Sequence, residues 1–179
     1  MLVLAGGGPA KRRQEGYRTL RITHGVTKGL TMQNGNLSNI VQPRVLLVFE
    51  GALGFIDGDA VQEFNKLASR GQWFSAWNLW EVNDLMARKI WDVTKRQSVN
   101  VALCTYVSDN ALAAVGLQEW ADEARLPIGE CLAVKPESLA RELSYMPDVA
   151  CVYDASYNTC AALGSKGKHL RNVNDFCRF

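Results

Sequence analysis

The sequence predicts an α/β domain of three layers, with a mostly parallel five-stranded sheet and helices on both faces. Three observations lead there. Apolar runs of strand length recur after residue 44: VLLVF (45–49), VNVALCT (99–105), GECLAV (129–134) and DVACVYD (148–154). Most are continuous rather than alternating, the pattern of strands buried on both faces. Between them lie segments with apolar residues at helical spacing, and the connections are short.

Each element has its own local reason. VLLVF ends in Glu50-Gly51, an acid and a turn residue. DAVQEFNKLASRG (59–71) carries Val61, Phe64, Leu67 and Ala68 on a helical stripe. Asp59 stands where an N-cap is expected and Gly71 where a helix stops. Residues 77–96 read as one long helix. VNVALCT follows as the second buried strand. Asp109 is placed to cap a helix from about Asn110 to Arg125, with Leu112, Val115, Trp120 and Ala124 inward. GECLAV is a shorter strand. Pro136 suits the first position of the helix PESLARELSYM (136–146), which has Leu139, Leu143 and Met146 on one face. DVACVYD is again a buried strand. A helix over 156–163 ends near Gly164, and HLRNV (169–173) closes the sheet as an edge strand.

Composition sets outer bounds. The chain has 179 residues, 47% of them apolar, enough for one domain with a real core. No apolar run approaches the roughly 20 residues of a membrane helix. MLVLAGGGPAKRR places its charge after a short apolar patch, the reverse of a secretory signal. These features point to a cytoplasmic protein with no membrane partner. The five cysteines are odd in number and form no CxxC pair, so neither a disulfide framework nor a zinc site is expected. His24 and His169 stand far apart without ligand-like neighbours.

The net charge of +2 conceals a split. Residues 1–44 hold seven Lys/Arg against Glu15 alone, whereas residues 45–179 hold 13 basic and 17 acidic side chains. We read 1–43 as a basic, flexible arm and 44–179 as the folded domain. The arm has two readings: a solvated tail, or a segment that touches nucleic acid or another acidic partner. Met32 offers a third, an alternative translation start.

In an open parallel sheet, ligands bind outside the carboxyl ends of the strands. Glu50 follows the first strand. The second ends in Thr105, followed by Tyr106, Ser108 and Asp109. Lys135-Pro136 follows the third, and the fourth ends in Asp154, with Asn158 four residues on. A hydroxyl, a lysine and carboxylates so placed suit a phosphate and a hard cation. Mg²⁺ takes carboxylate and water oxygens, lysine offsets phosphate charge, and threonine donates to a phosphoryl oxygen. Taken singly, the same residues serve as caps, turns and an exposed lysine.

With these positions the sequence resembles the haloacid dehalogenase-like (HAD) superfamily over roughly Arg44 to Asp175. That family has a Rossmann-like sheet with four motifs at strand ends. VALCT is similar to the second motif through Thr105, AVKPESL to the third through Lys135, and ACVYDASYN to the fourth through Asp154, with Asn158 where a further acid can sit. GKHLRNVNDF resembles the family's closing strand. The resemblance implies Glu50, Thr105 and Lys135 as the catalytic set, and Glu50, Asp154 and Asn158 as Mg²⁺ ligands. Only 55 positions separate Glu50 from Thr105, room for two helices but no large lid. In the family a minimal cap implies an open site and a macromolecular substrate.

The first motif departs from the family's FDxDGTLVD. FEGALGFID puts Glu50 at the nucleophile and Ala52 at the acid/base position. Glu50 is one methylene too long, and misplacement by about 1 Å costs on the order of 10²-fold in rate. Ala52 cannot transfer a proton, a loss of roughly 10²–10⁴-fold. A rival alignment uses Asp57-Gly58-Asp59-Ala60-Val61, which satisfies DxDx[TV] with Asp57 as nucleophile and Asp59 as acid/base. Its preceding strand would be ALGFI, which Gly54 interrupts.

Three functions follow as expectations. The first is a catalytically impaired HAD-like protein that binds phosphate, Mg²⁺ or a partner. The second is an active Mg²⁺-dependent phosphohydrolase using Asp57 and Asp59. The third is a nucleic-acid or protein-binding module working through the arm. Trp73, Trp77 and Trp80 fall on one helical stripe, either as core or as an aromatic platform. Neither GSKGKHL nor AGGGPAKRR has phosphate-loop spacing, and no GxSxG elbow occurs.

Overall fold

The structure, a computed structural model, describes residues 42–178. The expected arm falls almost wholly outside the described residues. The domain begins with β1 (Arg44–Val48). A two-residue strand β2 (Gly54–Phe55) follows, then α1 (Val61–Ser69), α2 (Trp73–Trp77), a short β3 (Glu81–Val82) and α3 (Asp84–Gln97). Strand–helix alternation then runs through β4 (Asn100–Thr105), α4 (Ala111–Glu123), β5 (Ile128–Ala133), α5 (Pro136–Ser144), β6 (Val149–Asp154), α6 (Tyr157–Ala162) and β7 (Gly167–His169).

The expected α/β class is found: five parallel strands in the order β5-β4-β1-β6-β7, with helices around them. β1 is central. Leu47 lies opposite Leu103 of β4 on one side and Tyr153 of β6 on the other. Its residues Val45, Leu46 and Leu47 are fully buried and Val48 nearly so. Each such side chain contributes about 1.5–3 kcal/mol. Strand alternation splits them between two cores. Val45, Leu47 and Phe49 meet α1–α4, while Leu46 and Val48 meet Leu139 and Leu143 of α5. β2 and β3 form a separate antiparallel pair.

Several boundaries differ from the expectation. The long helix over 77–96 is instead α2, a turn, β3 and α3. Asn83 makes the break. Its side chain accepts from the Met86 N–H to cap α3, its own N–H donates to the Leu53 carbonyl at 2.7 Å, and its amide donates to the Ala52 carbonyl. Asp59 is not the cap of α1. Asp57 accepts from the Asp59 N–H and caps a 3-10 turn over Gly58–Ala60 that leads into α1. Gly71 does stop α1, with φ at +73°.

Asn110 rather than Asp109 caps α4, by accepting from the Leu112 N–H. That helix is also rotated from the expected face. Leu112, Val115 and Ala124 are exposed, and Ala113, Gly116, Leu117, Trp120 and Ala121 face inward. The small residues let α2 come close. A Cβ on Gly116 would lie 2.7 Å from Trp73 Cβ and 2.8 Å from the Phe74 backbone nitrogen. The closing strand lies earlier than HLRNV, at Gly167–His169. Beyond it, Asn172 and Asp175 form a capping box that curls the chain into a 3-10 turn.

The indoles answer the platform question in favour of core. Trp73, Trp77 and Trp80 pack around Phe49 and Phe64, and Trp77 Nε1 donates to the Ala113 carbonyl at 3.0 Å. Trp91 is half exposed beneath Lys95. All five cysteines are free thiols. Among the described residues no helix is long and apolar enough to cross a membrane.

The α2–α4 contact yields a test. The Gly116→Ala variant should lose about 1–3 kcal/mol, because the added methyl meets backbone rather than a side chain that can swing away. Urea denaturation should show a lower midpoint with an unchanged slope. An unchanged midpoint would mean that the two helices are not held at this spacing.

Candidate functional site

The strand order decides which side chains meet. β4 and β6 flank β1, so the residues ending these three strands converge. Phe49 continues β1, its N–H donating to the Cys104 carbonyl at 2.8 Å. The chain then turns tightly, with the Leu53 and Gly54 N–H groups donating back to the Phe49 carbonyl. Gly51 takes φ of +73° to make this turn. A Cβ on Gly54 would fall within 2.1–2.7 Å of the Phe49 ring, so glycine is required there.

Glu50 sits at the mouth of that turn. Its Oε1 accepts from the Thr105 hydroxyl and from the Tyr106 N–H at 3.1 Å. Thr105 is fully buried, and its Oγ1 also accepts from the Val107 N–H at 3.2 Å. Asp154 is 3% exposed at the end of β6. Its Oδ1 accepts from the Ser156 N–H at 2.7 Å and its Oδ2 from the Tyr106 hydroxyl at 2.8 Å. Tyr106 therefore ties the two acids together, one through its backbone and the other through its ring. Glu50 Oε2 is buried and has no hydrogen-bond partner among the described residues.

Thus Glu50, Thr105 and Asp154 are joined through Tyr106, whereas Lys135 and Asn158 are not part of the group. Lys135 is exposed and pairs with Asp109, Nζ to Oδ2 at 3.3 Å. Asn158 is exposed on α6 and makes no hydrogen bond to either acid. Ala52 is buried within the turn, its carbonyl taken by Asn83. Asp57 serves as a cap.

Tyr106 is the residue that sequence reasoning passed over. The signal was its place directly after the strand-end threonine, where an aromatic hydroxyl can cross to the neighbouring strand end. Burial sets the electrostatics. Desolvation raises the Glu50 carboxyl, and the bonds from Thr105 and Tyr106 only partly oppose it. Burial, then the charge of Glu50 and of Asp154, holds the Cys104 thiol well above its usual range. The Tyr106 phenol is held up in the same way, by burial and then by Cys104 and Asp154. At neutral pH both stay protonated, so Tyr106 acts as a donor and Cys104 as an inert apolar neighbour.

The donor set was compared with the Mg²⁺ expectation. Two carboxylates are present: each Asp154 oxygen accepts one hydrogen bond, Glu50 Oε2 accepts none among the described residues, and Asn158 is exposed and bonded to neither acid. Among the described residues no cluster of three or more His, Cys, Asp or Glu is placed to hold a metal. Mg²⁺ keeps several waters and takes only one or two carboxylates from a protein, so Glu50, whose Oε2 has no partner among the described residues, and Asp154 are the residues that would hold it.

No family model matches the chain, and comparison with curated proteins and with solved structures returns no match.

Glu50 gives a pH-dependent prediction. Its folded value is raised, so the stabilisation from its proton is complete below the unfolded value of 4.5 and is lost as pH rises through the folded value. Above that value the fold carries a desolvated charge. The Glu50→Gln variant removes the charge and keeps an oxygen for Thr105 and Tyr106. It should melt a few degrees above the parent at neutral pH, and the gap should close as pH falls towards 4.5. Thermal melts across that range check it, and a gap independent of pH would count against a desolvated Glu50.

Proposed function

We propose that the chain is a HAD-like domain that has given up phosphomonoester turnover and acts by binding a macromolecular partner at its strand ends. The observation that carries this reading is Tyr106. Its N–H and hydroxyl take up the acids that a phosphoryl-transfer site would keep free for substrate. The remaining positions agree with it. Glu50 is bonded to Thr105, the hydroxyl that would otherwise donate to a phosphoryl oxygen. Ala52 offers no proton, and the Lys135 charge is directed at Asp109. Two acids at one mouth also oppose a free phosphate. Partner binding is favoured over ligand binding by the rim. Phe55, Val107 and Tyr157 are exposed at 47%, 39% and 65% in the segments that follow β1, β4 and β6. Exposed aromatic and aliphatic side chains in the segments next to these strand ends suit a protein surface.

A second reading, hydrolysis through Asp57 and Asp59, needs a free nucleophile. The Asp57 carboxylate instead accepts from the Asp59 N–H at 3.2 Å, and both lie in the turn before α1.

The test is turnover of para-nitrophenyl phosphate by the full chain with Mg²⁺. We expect none above buffer. Appreciable turnover that disappears in the Asp154→Asn variant would overturn the proposal. Turnover that disappears in Asp57→Asn but survives in Glu50→Gln would establish the second reading instead.

A further inference from the structure

Away from the strand-end site, two open grooves border the segment 171–178. The first, about 850 Å³, lies where β1 and β4 begin and is lined by Pro43, Lys89, Val99, Cys177 and Arg178 among others. The second, about 510 Å³, runs beside β7. Lys168, His169, Arg171 and Arg178 border it, together with the buried Cys151 and Tyr153. Arg178 belongs to both.

The charge lining these grooves is mostly positive: Lys89, Lys168, Arg171 and Arg178 against Asp175 alone. Elsewhere Arg44, Lys66, Arg96, Lys135 and Arg141 each have a carboxylate within ion-pair distance, whereas Arg70, Arg88, Lys95, Arg125 and Lys166 are scattered and have none among the described residues. Among the described residues Lys89, Lys168, Arg171 and Arg178 have none. The acid that borders them, Asp175, has its Oδ2 occupied by the N–H groups of Arg171 and Asn172, at 3.2 and 3.1 Å. Lys89 lies close enough to Cys177 to lower its thiol, although burial still raises it to about 12. Beside the second groove, the exposed Tyr157 ring stands edge-on to His169, with centroids 5.7 Å apart.

We propose that the two grooves bind a single-stranded nucleic acid, its phosphates on Lys89, Lys168, Arg171 and Arg178 and a base on Tyr157. Four cations spread over two neighbouring grooves call for an anion with charges at intervals, which one phosphate does not supply. Arginine forks match phosphate oxygens in pairs. An exposed ring beside the second groove favours a stacking base over the carboxylates of an acidic peptide. None of these four cations pairs with Glu50 or Asp154 among the described residues, but Tyr157 is shared with the strand-end rim, so the cation variants rather than Tyr157 separate this proposal from the strand-end reading.

The experiment is fluorescence anisotropy of a labelled single-stranded oligonucleotide with the full chain over a range of salt. The variant Lys168→Glu/Arg171→Glu should raise Kd by about tenfold or more and flatten the salt dependence by about 0.7 per lost phosphate contact. The control Arg70→Glu/Arg125→Glu makes the same charge change on exposed residues that border neither groove. Its Kd should change by no more than about threefold. Tyr157→Ala should weaken binding without altering the salt slope. Equal loss in groove and control variants, which would leave the arm or net charge as the cause, overturns the proposal. So does absence of binding by the parent chain, or competition by poly-glutamate as strong as that by unlabelled oligonucleotide.

Discussion

The domain is organised by the burial of β1 on all sides. A strand flanked by β4 and β6 and covered on both faces has no edge to offer water, so every backbone group must pair and every side chain must be apolar. Val45–Val48 meet that demand, and Arg44 closes the near end by bonding Glu130 and Asp148, beside the two neighbouring sheet regions. The far end is where apolar sequence stops. Phe49 turns under the indole cluster, and Glu50 is left where three strands finish together. The position of the acids is thus a result of sheet order, with Asp154 buried at the end of β6 and Glu50 in the tight turn after Phe49.

Much of this was legible beforehand, and the reasons differ by element. Four strands of the main sheet were readable because burial on both faces writes itself as an apolar run, as in VLLVF and ACVYD, whereas β7, three residues at the edge and none fully buried, was expected too late in the chain. Pro136 and Gly71 marked helix ends because each has a backbone reason to be there. The failures share a cause, tertiary contact overriding local pattern. Trp77 to Arg96 has helical periodicity, but Asn83 is drawn to Leu53 and Ala52 by hydrogen bonds that no spacing reveals. In α4 the larger side chains Leu112 and Val115 looked like the core face. The true face is the one with Ala113 and Gly116, because α2 needs close approach more than apolar area.

The strand-end residues were located correctly as places and incompletely as a group. Glu50, Thr105 and Asp154 could be placed from strand endings alone. Whether they face a ligand or one another depends on Tyr106, a side chain with no motif of its own. Lys135 and Asp109 show the same limit. Each ends a strand or begins a helix in the sequence, yet their mutual attraction across neighbouring strand ends is visible only in three dimensions.

The chain of hydrogen bonds through Thr105, Glu50, Tyr106 and Asp154 also bears on how such a sequence tolerates change. A change that removes the shared oxygen of Glu50, the Thr105 or Tyr106 hydroxyl, or the Asp154 carboxylate leaves a donor or acceptor without its partner. Substitutions here should therefore be strongly non-additive, and a pair of changes can be tolerated where either alone is not. The fold itself therefore holds the strand ends in this arrangement, whatever they contact.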